Sequence, residues 1–416
     1  PRVRLVGDGA RSFLASGGEP FDLIVMPLAD SFRVVTAGAF SISENYLLTV
    51  ESVARQYERL AEGGFLVVSR WLQLPPSEEL RSYLIALEAL ERLGVERPAS
   101  RVAAFRSFQT ATLLVKRGEL TPRDVEELRS FAAEMRYDLI HLPGLRAEDA
   151  NRFHILERDL YFQTYEMAES PEQRSELLSS YPFDVSPTTD DRPFFHHFFK
   201  PAQLPEVVSR LGRTWQPFGG SGYLVMFALL GFAAAASTLL IALPLWIGGR
   251  GPADGGTVRH GDGETRGRGE PVTRDSGLNP GPRPLAVLAY FGGLGVAYLF
   301  VEIPLMQRMI LFLDQPTYSF AAVLCALLVS SGLGSLAAER LGWRPGVVLL
   351  ALAVGALLGT AALPPLLAPF LAQPLAIRFP VALLALAPLG FLMGIPFPTG
   401  VALLGKLRPS LVPWAW

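Results

Sequence analysis

The sequence predicts an α/β domain with a mainly parallel sheet, followed by an all-α transmembrane bundle. Three observations carry that expectation. Strand-type and helix-type runs alternate from the first residues onward, the pattern of βαβ units. Two β-type runs deliver acids where they stop: Val3–Val6 leads into Gly7-Asp8-Gly9, and Leu23–Met26 into Pro27-Leu28-Ala29-Asp30. From Gly222 onward, uninterrupted apolar runs recur at about the 20 residues a helix needs to cross roughly 30 Å of hydrocarbon.

In an open α/β sheet the ligand crevice lies beyond the carboxyl ends of the strands, so Asp8 and Asp30 are expected in one pocket. At 416 residues, 50% hydrophobic and 18% charged, the chain has room for two or more domains. A net charge of −2, with no Lys/Arg block interleaved with aromatics, argues against a nucleic-acid partner. The single cysteine, Cys325, forms no intrachain disulfide and fits a reduced compartment. There is no initiator Met and no signal-peptide pattern, and the last residues are Pro-Trp-Ala-Trp, so the sequence reads as a piece of a longer chain.

Ala10–Ala15 follows Asp8-Gly9 as a short helix. Phe21–Met26 is a buried strand that Pro27 ends, since proline cannot donate to the ladder. Residues 44–61 place Tyr46, Leu47, Val50, Val53, Ala54, Tyr57 and Leu60 at helical spacing behind Ser43 as N-cap, and Glu62-Gly63-Gly64 closes that helix before a strand at Phe65–Ser69. Ser77–Leu93 is a second amphipathic helix, ended by Gly94. Arg101–Phe105 and Ala111–Lys116 are separated by a turn too short for a parallel crossover and are expected to form an antiparallel hairpin at the sheet edge. A parallel sheet finished by an antiparallel pair is the ending of a Rossmann-like fold of the class I methyltransferase type. Only the C-terminal half is present, because no strand followed by G-x-G-x-x-G occurs upstream.

Residues 119–215 read as a helical extension, with helices at 122–135, 151–168 and 171–180. They end in DVSPTTDDRPFFHHFF, where Asp190-Asp191, Arg192 and the aromatics around His196-His197 suit a polar domain meeting a membrane interface. Adjacent histidines point to different faces and match no zinc spacing, so no metal is expected.

In the transmembrane region, 216–416, five spans are expected: 222–247, 285–305, 318–338, 346–371 and 379–405. The Gly-, Arg- and acid-rich loop 248–284 cannot bury a core and is expected to be disordered. Small residues at four-residue spacing, from Gly332 and from Gly355 to Gly359, suit close helix packing, and Pro304, Pro396 and Pro398 mark interrupted helices. Glu302 in an apolar stretch is a functional candidate because an unpaired carboxylate is costly there; Arg308 is its candidate partner. Basic residues number five on the side of the first domain and ten on the other, but six of those ten share the 248–284 loop with five acids. The domain is therefore expected on the cytoplasmic side.

Four stretches, GDGARSFL, FDLIVMPLADS, ENYLLTVESV and LAEGGFLVVSRW, resemble the second half of the nucleotide-binding domain of polyamine aminopropyltransferases, the spermidine and spermine synthases. VEIPLMQRMILFLDQPTYSF and the DDRPFF stretch resemble the bacterial subgroup in which that domain is fused to transmembrane helices. The resemblance implies that residues 1–118 are part of a nucleotide-binding domain, in the bacterial inner membrane. It also implies that S-adenosylmethionine or its decarboxylated form is the substrate, with Asp8 on the adenine amino group and Gly9 and Ala10 giving backbone contacts. Asp30 falls on the second aspartate of the family's D-x-x-D, which holds the cationic polyamine. The first aspartate, which helps deprotonate the attacking amine, falls on Pro27, leaving Glu44, Tyr46 or Asp22 as substitutes.

The expected function is thus aminopropyl transfer to a polyamine or another small amine in a protein bound to the lipid bilayer, with a second copy of the chain as a further candidate partner. Alternatives are a methyltransferase on the same fold, or a polyamine transporter or sensor with a non-catalytic binding domain.

Overall fold

The computed structural model describes residues 3–7, 9–28, 43–200, 284–341, 345–407 and 409–415, with a few single positions between 202 and 236. Asp8, Asp30, nearly all of the expected span 222–247 and the loop up to residue 283 lie outside the described residues. The chain divides into two compact units, Pro1–Leu230 and Gly231–Trp416.

In the first unit the described elements run α1 (Ala10–Ala15), β1 (Phe21–Met26), α2 (Val50–Glu58), β2 (Leu60–Trp71), α3 (Glu78–Arg92), β3 (Val102–Arg106), β4 (Thr110–Lys116), α4 (Pro122–Met135), β5 (Asp138–His141), α5 (Leu160–Glu169) and α6 (Pro171–Ser180). The strands form one five-stranded sheet in the order β1-β2-β4-β3-β5. β1 and β2 are parallel, with Met26 opposite Val68. β4 lies antiparallel to both β2 and β3, and β3 is antiparallel to β5. The sheet is therefore mixed rather than mainly parallel. The hairpin forms as expected, but β5 covers its outer strand, so it is not the edge.

The period-2 patterning of β2 sends Leu66, Val68 and Arg70 to one face, which packs on α2 and α3 through Val53, Tyr57, Leu84 and Leu87. Phe65 and Leu114 face the other way, against Val125, Leu128 and Ala132 of α4. Among the described residues β1 and β5 are the terminal strands, and Leu23 and Val25 of β1 are about half exposed, at 55% and 52%.

Several boundaries differ from those the sequence predicts. Val3–Val6 is not a strand: residues 3–7 join no ladder, and Leu5 is 94% exposed. Alternating apolar residues become a strand only where a neighbour supplies partners for the backbone, and this run finds none among the described residues. α2 starts at Val50 instead of residue 44, with Thr49 as the cap accepting from the Ser52 N–H at 3.2 Å. The preceding backbone is engaged elsewhere: Asn45 N–H donates to the Pro193 carbonyl at 2.7 Å and Leu47 N–H to the Asn45 side chain at 3.1 Å. β2 begins at Leu60 and runs through Gly63-Gly64, because a Cβ at Gly64 would lie 2.9 Å from the carbonyl oxygens of Phe21 and Asp22. Glycine lets the parallel strands meet there.

Residues 151–159 are not helical. The Asp138 carboxylate, 3.2 Å from the buried Arg106 guanidinium, accepts the N–H groups of Arg152, Phe153 and His154 at 2.5–2.8 Å. Those amides are thereby withdrawn from any helix. In the aromatic stretch 194–199, Phe195 and Phe198 are buried in the core of the first unit, where the Phe195 ring faces Arg70 and the Phe198 ring faces Arg81.

The second unit contains α7 (Pro284–Leu313), α8 (Pro316–Leu341), α9 (Pro345–Leu367), α10 (Leu375–Met393) and α11 (Pro396–Leu407). Among the described residues three stretches are long and apolar enough to cross a membrane: Ala286–Leu313, Pro316–Ala338 and Leu375–Leu407. A fourth candidate, Gly346–Gly359 with Ala361–Phe370, bends by 47°. Pro304 lies inside an unbroken α7, whereas Pro396 opens α11 after a break at Gly394-Ile395. The tightest helix packing lies at glycines other than those predicted, although a Cβ at Gly355 would sit 3.5 Å from the Leu392 side chain, an ordinary contact. A Cβ at Gly334 or Gly394 would fall on the Phe391 or Ser331 carbonyl, and one at Gly390 on the Ser330 hydroxyl, while Gly332 and Gly359 have nothing within 4 Å.

Candidate functional site

The site follows from where the helices begin. Phe21 N–H donates to the Arg59 carbonyl at 2.9 Å, which puts the end of α2 at the start of β1. α2 therefore starts near the other end, where β1 and β2 stop. α3 starts seven residues after Trp71, at that same end. Arg11, in the first turn of α1, donates to the Tyr46 carbonyl at 2.9 Å, which brings that turn to the 43–49 loop ahead of α2. The starts of α2 and α3 thus lie toward the carboxyl ends of the parallel pair, and the first turn of α1 joins them through the 43–49 loop.

Helix starts favour negative charge, and acidic side chains gather here. Asp190 accepts from both terminal nitrogens of Arg11 at 2.6 Å and from the Thr49 hydroxyl at 2.7 Å. Its own N–H donates to Glu51 at 2.9 Å, and Arg11 also donates to the Tyr46 carbonyl at 2.9 Å. Tyr46 hydrogen-bonds the Glu44 side chain; burial first, and then the Glu44 charge, raise its pKa well above the ordinary tyrosine value. Its hydroxyl is therefore a donor at neutral pH rather than a base.

Behind this surface the 73–79 segment is held rigidly. The Tyr161, Tyr181 and Tyr165 hydroxyls donate to the carbonyls of Gln73, Pro76 and Glu79. Gln73 donates to Glu78 at 2.9 Å, and Glu79 accepts the Ser77 N–H at 3.0 Å. Burial holds the Glu79 carboxyl well above the usual carboxylate range. The final segment, 184–198, crosses the region: Arg81, fully buried, donates to the carbonyls of Asp184, Phe194, Phe195 and His197, and Val50 N–H reaches the Thr188 carbonyl at 2.9 Å.

Of the predicted residues, the structure brings Glu44 and Tyr46 together, with Gly9 and Ala10 at the start of α1 nearby. Asp8 and Asp30 fall outside the described residues. Asp22 lies at the amino end of β1, away from Pro27, and does not belong to the site. Arg11, Thr49 and Asp190 were not expected in it. One signal was visible: a cation in the first turn of a helix opposes the dipole and calls for an anionic partner.

Glu302 and Arg308 lie on one continuous helix six residues apart, hence about 9 Å along its axis and roughly 120° around it, so they are not same-face neighbours. Among the described residues Arg378 forms a buried ion pair with Asp314, at 2.7 Å, and also donates to the Phe312 carbonyl at 2.9 Å. Among the described residues no group of three or more His, Cys, Asp or Glu side chains is placed to hold a metal ion. A cavity of about 700 Å³ opens at the opposite end of β2, lined by Tyr57, Arg101 and Arg117 among others. Of its charges, Arg97 pairs with Glu119 at 2.8 Å and Arg117 with Glu62 at 3.9 Å. No protein-family model, curated protein or solved structure matches the chain.

Proposed function

We propose that the chain is a membrane-bound, spermidine synthase-like transferase, acting on S-adenosylmethionine or, preferably, its decarboxylated form, with a polyamine or other small amine as acceptor. The observation that carries this reading is the convergence of Glu44, Tyr46 and the α1 start at the carboxyl ends of the parallel strands β1 and β2. The sheet order supports it as well, since two strands of one direction are followed by an antiparallel pair. In the proposed step the neutral amine nitrogen attacks the aminopropyl carbon next to the sulfonium. A C–N bond forms, the C–S bond breaks with its electron pair going to sulfur, and a neutral thioether nucleoside leaves. The proton released by the amine goes to Glu44, proposed to stand in for the aspartate that Pro27 replaces. Helices long and apolar enough to span support attachment to a membrane, which we propose to be a bacterial inner membrane with the sheet unit on the cytoplasmic side.

Calorimetric titration of the full-length protein in detergent, with both cofactor forms and with or without putrescine, tests the reading. Tighter binding of the decarboxylated form, strengthened by putrescine, is the expected result, and Asp30→Ala should abolish transfer. Pro27 favours one second reading, a binding module that senses polyamines without turning over; it predicts the same titration with no product formed. Preference for the methylated cofactor would instead point to a methyltransferase.

A further inference from the structure

Asp190 is the most heavily used acid of the region, and it comes from the far end of the unit, 179 residues after Arg11. Both of its oxygens are taken by one guanidinium, and each side chain is about a quarter exposed, at 24% and 25%. Such a bidentate pair fixes orientation as well as charge. Arg11 passes the constraint on: the same nitrogen that meets Asp190 donates to the Tyr46 carbonyl, so the loop bearing Glu44 and Tyr46 is fixed by a partner it does not itself contain. Thr49, the α2 cap, completes the link by donating to Asp190.

The charge consequence is separate from the positional one. An aminopropyl acceptor enters as a polycation. The charges of Glu44 and Arg11 both act on the Tyr46 hydroxyl; a lone guanidinium there would offset the acid and repel the amine, whereas a guanidinium neutralised by Asp190 leaves the Glu44 charge in force. We propose that the Arg11–Asp190 pair is the positioning and charge-balancing device of the amine-binding half of the site, through which the 184–198 segment sets the affinity for cationic acceptors. This rests on the aminopropyl-transfer reading for its ligand, but not for its geometry.

The test uses the full-length protein in detergent, as wild type, Asp190→Asn and the double variant Arg11→Gln/Asp190→Asn. Hydrogen exchange of the peptide 43–50 reads position without any ligand, and calorimetry with spermidine and with decarboxylated S-adenosylmethionine reads charge. The expected result is at least tenfold faster exchange of 43–50 in Asp190→Asn with α3 unchanged. The same variant should lose at least tenfold in spermidine affinity but no more than threefold for the nucleoside. The double variant, neutral at both positions, should recover most of the spermidine affinity while its exchange stays fast. Unchanged exchange in Asp190→Asn would overturn the positional role. Equal losses for both ligands, or no recovery in the double variant, would overturn the charge-balancing role. If the wild type binds neither amine nor nucleoside, the transferase reading fails, and the exchange result still decides the positional role.

Discussion

Glu79 shows how a single side chain sets the pH behaviour of the sheet unit. Burial holds its folded-state pKa well above the ordinary carboxylate value, so the folded protein keeps a proton that the unfolded chain releases above about pH 4.5. Stability is then lost as pH rises from that value toward the folded pKa, by up to about 1.4 kcal/mol per pH unit. Glu79→Gln removes the titration while keeping an oxygen for the Ser77 N–H, so the variant should match the wild type at pH 4.5 and exceed it at pH 8 in urea unfolding. A variant that is less stable at pH 8 would show that the charge is accommodated after all. Thr49 acts differently, since its hydroxyl oxygen both caps α2 and donates to Asp190. Thr49→Ala should cost about 1–2 kcal/mol, with Thr49→Ser recovering most of it, by the same measurement.

Among the elements, α4 and the loop after β5 are opposite cases. Asp138 accepts three backbone N–H groups and faces Arg106 with both side chains at most 2% exposed. Asp138→Ala should destabilise the unit by about 3–5 kcal/mol, because it strands a buried guanidinium and frees three amides at once. Thermal unfolding followed by circular dichroism checks this, and a loss under 1 kcal/mol would mean that water takes over the role of Asp138. These long-range bonds are also why the sequence misplaces a helix at 151–159: nothing local marks Asp138, which lies at least thirteen residues earlier, as the partner of those amides. By contrast α4 is legible to the residue, Pro122–Met135, since its signals are all local. Thr121 and Asp124 form a capping box, and Pro122 sits at the first helical position. The α2 start was misread for the first reason again, its preceding loop being held by Pro193 from far along the chain. The candidate site divides in the same way. Glu44 and Tyr46 stand in a run that can be read directly, whereas the Arg11–Asp190 pair that holds them spans almost the whole unit.

For the whole molecule, the division into a mixed-sheet unit and an apolar helical unit was legible because hydropathy is summed over long windows and needs no contact information. Helix seams are not legible in that way, since GxxxG-like spacings outnumber the places where two backbones meet. Gly390→Val should lower the detergent melting temperature of the full-length protein by 5 °C or more, and Gly359→Val by less than 1 °C, because only the first has a neighbour's hydroxyl where the new carbon must go. Equal shifts would dissociate the seam from stability. The seam also governs which parts can move. Backbones that touch without intervening side chains cannot shear, as a slide of even one residue, about 1.5 Å, would drive Gly390 or Gly394 into the Ser330-Ser331 stretch. α8 and α10 are thereby locked together as one body of the helical unit.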